Sequence, residues 1–242
     1  MRNLLGGLVV VLLLLGCERK SVDPDEQERG FAYFPLNVGR YYVYAVDSVG
    51  YGVLGVDSAR YQLREEVTEM FDDLTGTPTY RVERFRRADA ARPWPATPDS
   101  VWTAQRDEQK ALRTENNTAF VRMIFPVVTR AAWDVNAFNT AAERRAMLDS
   151  VGAEQRVGDS LYAATFQVVY DGRLEGNRVV ALDSNALGRR REVWTYARNV
   201  GLVAREVERI RYAVDADNLP KIPREIGEGT IFQQTLLEHG QL

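Results

Sequence analysis

The chain has 242 residues, with 31 lysines and arginines against 34 aspartates and glutamates, a formal net charge of −3. No strongly basic field is present to serve a dedicated nucleic-acid binder. With one histidine, His239, and one cysteine, Cys17, the chain lacks the side chains for a Ser-His-Asp relay, a cysteine-histidine nucleophile or a His/Cys zinc site, and no disulfide can form within it.

The N-terminus reads as an address. Met1, Arg2 and Asn3 precede an apolar run from Leu4 to Leu15 broken only by Gly6 and Gly7, followed by Gly16 and Cys17. A short basic start and an apolar core shorter than the roughly twenty residues of a membrane span make a secretory signal over residues 1–16. Leu14, Leu15, Gly16 and Cys17 resemble the lipobox of bacterial lipoproteins, which implies cleavage before Cys17 and acylation of its sulfur and new amine. Acyl chains contribute about 0.8 kcal/mol per buried methylene, so a doubly or triply acylated Cys17 anchors the protein without spanning the bilayer. The expected location is the outer membrane, with its periplasmic and surface faces both open. Loss of Arg2 takes the mature charge to 30 − 34 = −4.

Residues 17–30 hold the lipidated cysteine and a charged, apolar-poor tether with Asp23, Asp25, Glu26 and Glu28, too polar to repay the entropy of ordering. One β domain is expected over 31–242. Arg40 to Ser48 alternates with apolar residues on both faces and predicts a central strand. Gly50, Gly52 and Gly55 make a turn, and Ala59 to Phe71 and Thr79 to Arg87 complete a meander. Ala88 to Asp99, with Trp94 between Pro93 and Pro95, is a loop in which the tryptophan serves as a lid on the core or as a recognition finger. Val101 to Arg106, Ala111 to Glu115 and Ala119 to Val128 read as strands, the last two joined at Asn116 and Asn117. Propensity favours a helix over Ala141 to Leu148. Leu161 to Tyr170, Arg178 to Asp183, Glu192 to Ala197 and Leu202 to Val214 continue as strands, with Asp171 and Gly172 as a hairpin turn. Residues 215–229 form a loop, Ile231 to Glu238 closes the fold, and His239 lies where a chain end frays. About ten short strands with little helix predict a mainly β protein, an antiparallel sandwich or an open curved barrel.

Candidate functional residues are few. Tyr42, Tyr44 and Tyr61 form a ligand wall or a core. Arg189 to Arg191 form a solvated loop or a contact for anionic lipid. Six of the seven serines follow an aspartate; five, Ser48, Ser58, Ser100, Ser150 and Ser160, precede an aliphatic residue and resemble the acceptor of general protein O-glycosylation in Bacteroidota-type exported proteins. Shared Asp and Ser turn chemistry accounts for the same pattern. No cofactor or metal is expected, and carboxylates at a glycosidase separation are the one enzymatic route that composition leaves open.

Three stretches resemble a family of uncharacterised Bacteroidota-type lipoproteins: Tyr33, Phe34, Pro35, Leu36, Val38 and Gly39 with Tyr42, Tyr44, Val46, Asp47 and Ser48; Phe125, Pro126 and Val127 with Trp133, Asp134, Asn136, Ala137, Phe138 and Asn139; and Tyr196, Ala197, Val200, Gly201, Leu202 and Val203. The resemblance implies an envelope lipoprotein and brings no activity. The expected function is a non-enzymatic binding or assembly component with a protein partner; the alternative is a carrier or chaperone for lipid or another apolar ligand.

Overall fold

The computed structural model describes residues 29–242. The signal segment, Cys17 and the tether to Glu28 lie outside the described residues. The fold is β1 (Arg40–Gly52), β2 (Gly55–Asp72), β3 (Pro78–Arg87), β4 (Ser100–Arg106), β5 (Lys110–Glu115), β6 (Thr118–Ile124), β7 (Ala132–Asp134), β8 (Arg145–Val157), β9 (Ser160–Tyr170), β10 (Arg173–Glu175), β11 (Arg178–Val180), β12 (Asp183–Ser184), β13 (Gly188–Ala197), β14 (Gly201–Tyr212) and β15 (Ile226–Gln241).

One antiparallel sheet carries nearly all of it, in the order β6-β5-β4-β3-β2-β1-β15-β14-β13-β9-β8-β7, with β12 beside β13. The sheet curls until its two edges meet: the Val121 N–H on β6 donates to the Val135 carbonyl just after β7 at 2.9 Å, and the Trp133 indole N–H donates to the Val121 carbonyl at 2.9 Å. Of the two expected architectures this is the curved barrel, not the sandwich. Closing the edges hides backbone groups that would otherwise pair with another chain.

The chain enters at one end of the barrel and stoppers it. Gly30, at φ 88°, turns the backbone into a short 3-10 turn over Phe31–Tyr33, which aims Phe31 at Phe125 and Tyr33 at Phe166, each pair with centroids 4.8 Å apart. The Arg106 guanidinium donates to the Phe31 and Phe34 carbonyls at 3.0 and 3.1 Å, fixing the stopper to β4. The other end, where the β1–β2 turn and the β14–β15 loop lie, is the far end.

β1 is central as expected, between β2 and β15, and Tyr42, Val43, Tyr44 and Val46 are buried. The Asn116–Asn117 turn has both residues at positive φ, 49° and 62°, the geometry whose twist matches paired strands. Several expectations are corrected. There are fifteen strands among the described residues, not about ten, and β6 stops at Ile124. The helix expected over Ala141 to Leu148 is instead a loop and the start of β8. Ala146, Met147 and Leu148 are each 0% exposed and pair with Tyr170, Val169 and Val168 on β9, so burial on both faces outweighs helix propensity.

Asp171 and Gly172 do not join paired neighbours. They lead the chain out of the sheet into the separate β10–β11 hairpin, which is held by the Arg130 guanidinium donating to the Asn177 side-chain oxygen at 3.0 Å. Nor does the C-terminus fray: β15 runs to Gln241, the Leu242 N–H donates to the Gly39 carbonyl at 2.9 Å, and His239 sits opposite Tyr42 in the ladder.

Candidate functional site

The barrel interior is crossed by charge. Glu65, on the same face of β2 as Leu63 and Val67, is 5% exposed; Arg84 on β3 donates to it at 3.0 Å and Arg113 on β5 at 2.6 Å. Arg113 also approaches Glu115, at 3.8 Å, and Arg122 on β6 donates to Glu115 at 2.6 Å. The Arg84 and Arg113 guanidinium groups both lie over the Trp102 ring, 3.6 and 4.5 Å from its centre. Those of Arg122 and Arg205 lie likewise over Trp194, both at 4.6 Å. Desolvated cations over indole faces are worth about 2 kcal/mol or more, which helps the interior carry Arg84, Arg113, Arg122 and Arg205 beside the carboxylates of Glu65, Glu115 and Glu192, the last 5% exposed and accepting from the Trp194 indole N–H at 3.1 Å. Burial raises the Glu65 pKa, but Arg113 and Arg84 outweigh it and hold the carboxyl below its usual range.

Tyr42 and Tyr44 belong to this interior, stacked with centroids 6.2 Å apart; burial pushes both phenols up, Tyr44 well above its usual value. They line a residual cleft together with Glu65, Arg113, Trp194 and Tyr196, and its volume is about 60 Å³. That is far below the roughly 300 Å³ at which small-molecule sites begin. Tyr61 does not line this cleft: it packs, half-buried, against the edge of the core cluster that holds Tyr42 and Tyr44, with the Arg86 guanidinium 3.8 Å over its ring.

The larger opening is at the far end. A groove of about 850 Å³ runs between the tip of β1 and the starts of β13 and β15, lined among others by Val53, Leu187, Arg190, Arg209, Arg211 and Glu228. Arg189 to Arg191, expected in a loop, are on β13 and in register with Ile210, Arg209 and Glu208 of β14. Arg189 donates to Glu208 at 2.7 Å, Arg191 donates to Glu206, Arg209 to Glu192 at 2.5 Å, and Arg211 pairs with Glu228 at 3.0 Å. Val53, in the groove's lining, and its neighbour Leu54 are fully exposed, at 101% and 105%, as is Ile222 in the β14–β15 loop at 96%.

Sequence reasoning passed over this apolar tip although its signal was present. Gly52-Val53-Leu54-Gly55 places two aliphatic residues at a turn tip where polar residues are the usual choice, the positive φ falling on Gly55. Trp94 is neither lid nor finger: it is half-buried under the Arg87 guanidinium, 4.0 Å from its ring centre. Of the candidate acceptor serines, Ser58, Ser150 and Ser160 are exposed while Ser48 and Ser100 are half-buried. Ser150, at φ 54°, donates to Asp149 at 3.2 Å, the local chemistry expected of an Asp-Ser pair at an irregularity. Among the described residues no group of three or more His, Cys, Asp or Glu is placed to hold a metal.

No family model matches the chain, and no curated protein does. Two solved structures are similar over most of both chains. One, from Bacteroides fragilis, is described as an exported protein with a YmcC-like fold, 9% identical, with a TM-score of 0.41 over 86% of this chain and 98% of that one. The other, from Parabacteroides distasonis, is described as a lipoprotein, 9% identical, with a TM-score of 0.37 over the same shares. Likeness at this level establishes neither a shared fold nor a shared activity.

Proposed function

We propose that this chain is an envelope lipoprotein, anchored at the outer membrane through an acylated Cys17, that works as a non-enzymatic binding or assembly component and meets a protein partner at its open far end. The observation that carries the reading is the filled interior: the stopper, the tyrosines and the arginine–tryptophan stacks leave about 60 Å³, while about 850 Å³ lies open at the far end. A carrier of lipid needs an enclosed apolar cavity of several hundred cubic ångströms, whereas the far-end groove is open and lined by Arg190, Arg209, Arg211 and Glu228. The lipobox and the single cysteine support the anchor, and entry of the tether at the stoppered end turns the far-end groove toward a partner.

The test is titration of the full chain with an environment-sensitive fluorescent fatty acid. The reading expects no saturable uptake. Saturable binding that is weakened when Tyr44 is replaced by Trp, which fills the cleft, would establish the carrier instead.

A further inference from the structure

Resting on the reading of the chain as a binding component, we infer that the far-end groove takes a protein segment presenting one carboxylate beside apolar side chains. Three of the four arginines along the groove have a carboxylate within reach: Arg189 has Glu208 and Arg211 has Glu228, while Arg209 shares Glu192 with Arg144. Among the described residues Arg190 has none within ion-pair distance. Its cross-strand neighbour on β14 is Arg209, and like charges directly opposite one another are destabilising. On its other side, in register on β12, is Asp183, whose carboxylate instead stands 4.0 Å from Arg173.

The groove therefore offers one guanidinium fork in excess, a match for a single carboxylate held bidentately. Asp183 and Glu228 in the lining disfavour a phosphate, whose second charge would meet them without a further cation.

The apolar half of the site stands on a separate observation. Val53 makes one wall and Leu187 another, and Val53 with its neighbour Leu54 occupies the turn without burying any side-chain area. Nothing local calls for them: the flanking Gly52 and Gly55 supply the backbone freedom, and the two aliphatic side chains contribute nothing to the fold's core. Aliphatic side chains held in water without a folding gain mark a functional site, and arginine is enriched at the centres of protein interfaces.

The experiment is photocrosslinking of the full chain in its own envelope, with benzoyl-phenylalanine replacing Val53 and, as a control, Leu74, which is equally exposed in the β2–β3 turn at 108%. The expected result is an adduct from position 53 whose crosslinked peptide carries Asp or Glu within a few residues of the attachment point. Its yield should fall at least tenfold on Arg190→Glu, with no matching adduct from position 74. An adduct of lipid mass, a mapped segment lacking a carboxylate, or a yield unaffected by Arg190→Glu would overturn the inference. Circular dichroism of the variant confirms folding, and Arg190→Gln, expected to weaken the adduct less than the charge reversal, provides a milder second variant. A failure here leaves the fatty-acid titration untouched, so the two readings fail separately.

Discussion

Replacing Glu65 with Gln is expected to lower the unfolding free energy by about 3 to 5 kcal/mol, the range for breaking a buried ion pair by removing one partner. Glu65 accepts from Arg84 at 3.0 Å and from Arg113 at 2.6 Å, and each hydrogen bond to a charged group contributes about 1.5 to 3 kcal/mol. The amide keeps the size of the side chain, so little of the loss is cavity. Arg84 retains 21% of its side-chain exposure and is partly solvated, whereas Arg113 keeps 13% and falls back on Glu115 at 3.8 Å. Most of the cost therefore arises at Arg113.

The same charge sets a pH signature. The folded carboxyl titrates below its usual 4.5, so its stabilisation is fully present above that value and is lost as pH falls through the folded pKa. Urea unfolding of wild type and Glu65→Gln, followed by tryptophan fluorescence, should show the full gap at pH 7 and a closing gap below about pH 4. A companion double variant, Glu65→Leu with Arg113→Met, should recover much of the loss, because a well-packed apolar replacement of a buried pair is often neutral. A loss under about 1 kcal/mol, the range of exposed ion pairs, or a gap that does not change with pH, would refute the account of the interior.

Other outcomes follow from single positions. Gly229→Ala should destabilise by more than about 2 kcal/mol in a thermal melt, because at φ +134° the added Cβ falls 2.1 Å from the Arg209 carbonyl oxygen and 2.6 Å from the Ile210 Cα. Val53→Ser with Leu54→Ser should leave unfolding within about 0.5 kcal/mol of wild type, since nothing packs on either residue; a larger loss would return the tip to the fold and remove it from the binding surface. Cys17→Ser should abolish incorporation of labelled palmitate and release the protein from the membrane fraction, and retained label would remove Cys17 as the anchor.

The near half of the barrel was legible because its strands obey a period of two and its turns carry Gly, Asn and Pro. β1, β2 and β3 and the Asn116–Asn117 turn follow directly from that alternation. The β8 segment was not legible, since Ala146, Met147 and Leu148 are strand residues only because β7 and β9 flank them, and no local pattern announces a neighbour distant in sequence. Asp171 and Gly172 carry turn chemistry in both readings; what they join depends on the β10–β11 excursion that the chain makes before β13 returns to pair with β9. The interior charges were half legible. Glu65 shares the parity of Tyr61, Leu63 and Val67, so an acid on an apolar face was visible, but its partners on β3 and β5 come from a register that the sequence does not print. The excess fork at Arg190 depends in the same way on the pairing of β13 with β14, and only the exposed Val53–Leu54 turn was readable in advance.

The most direct test of the central claim, that the barrel interior is filled and a partner binds at its open far end, is native mass spectrometry of the full chain released gently from the envelope. The account predicts the polypeptide mass plus covalent acyl groups, with no further lipid-sized mass retained as collision energy rises. A stoichiometric lipid that survives to the point of unfolding would contradict it and place the ligand inside the barrel.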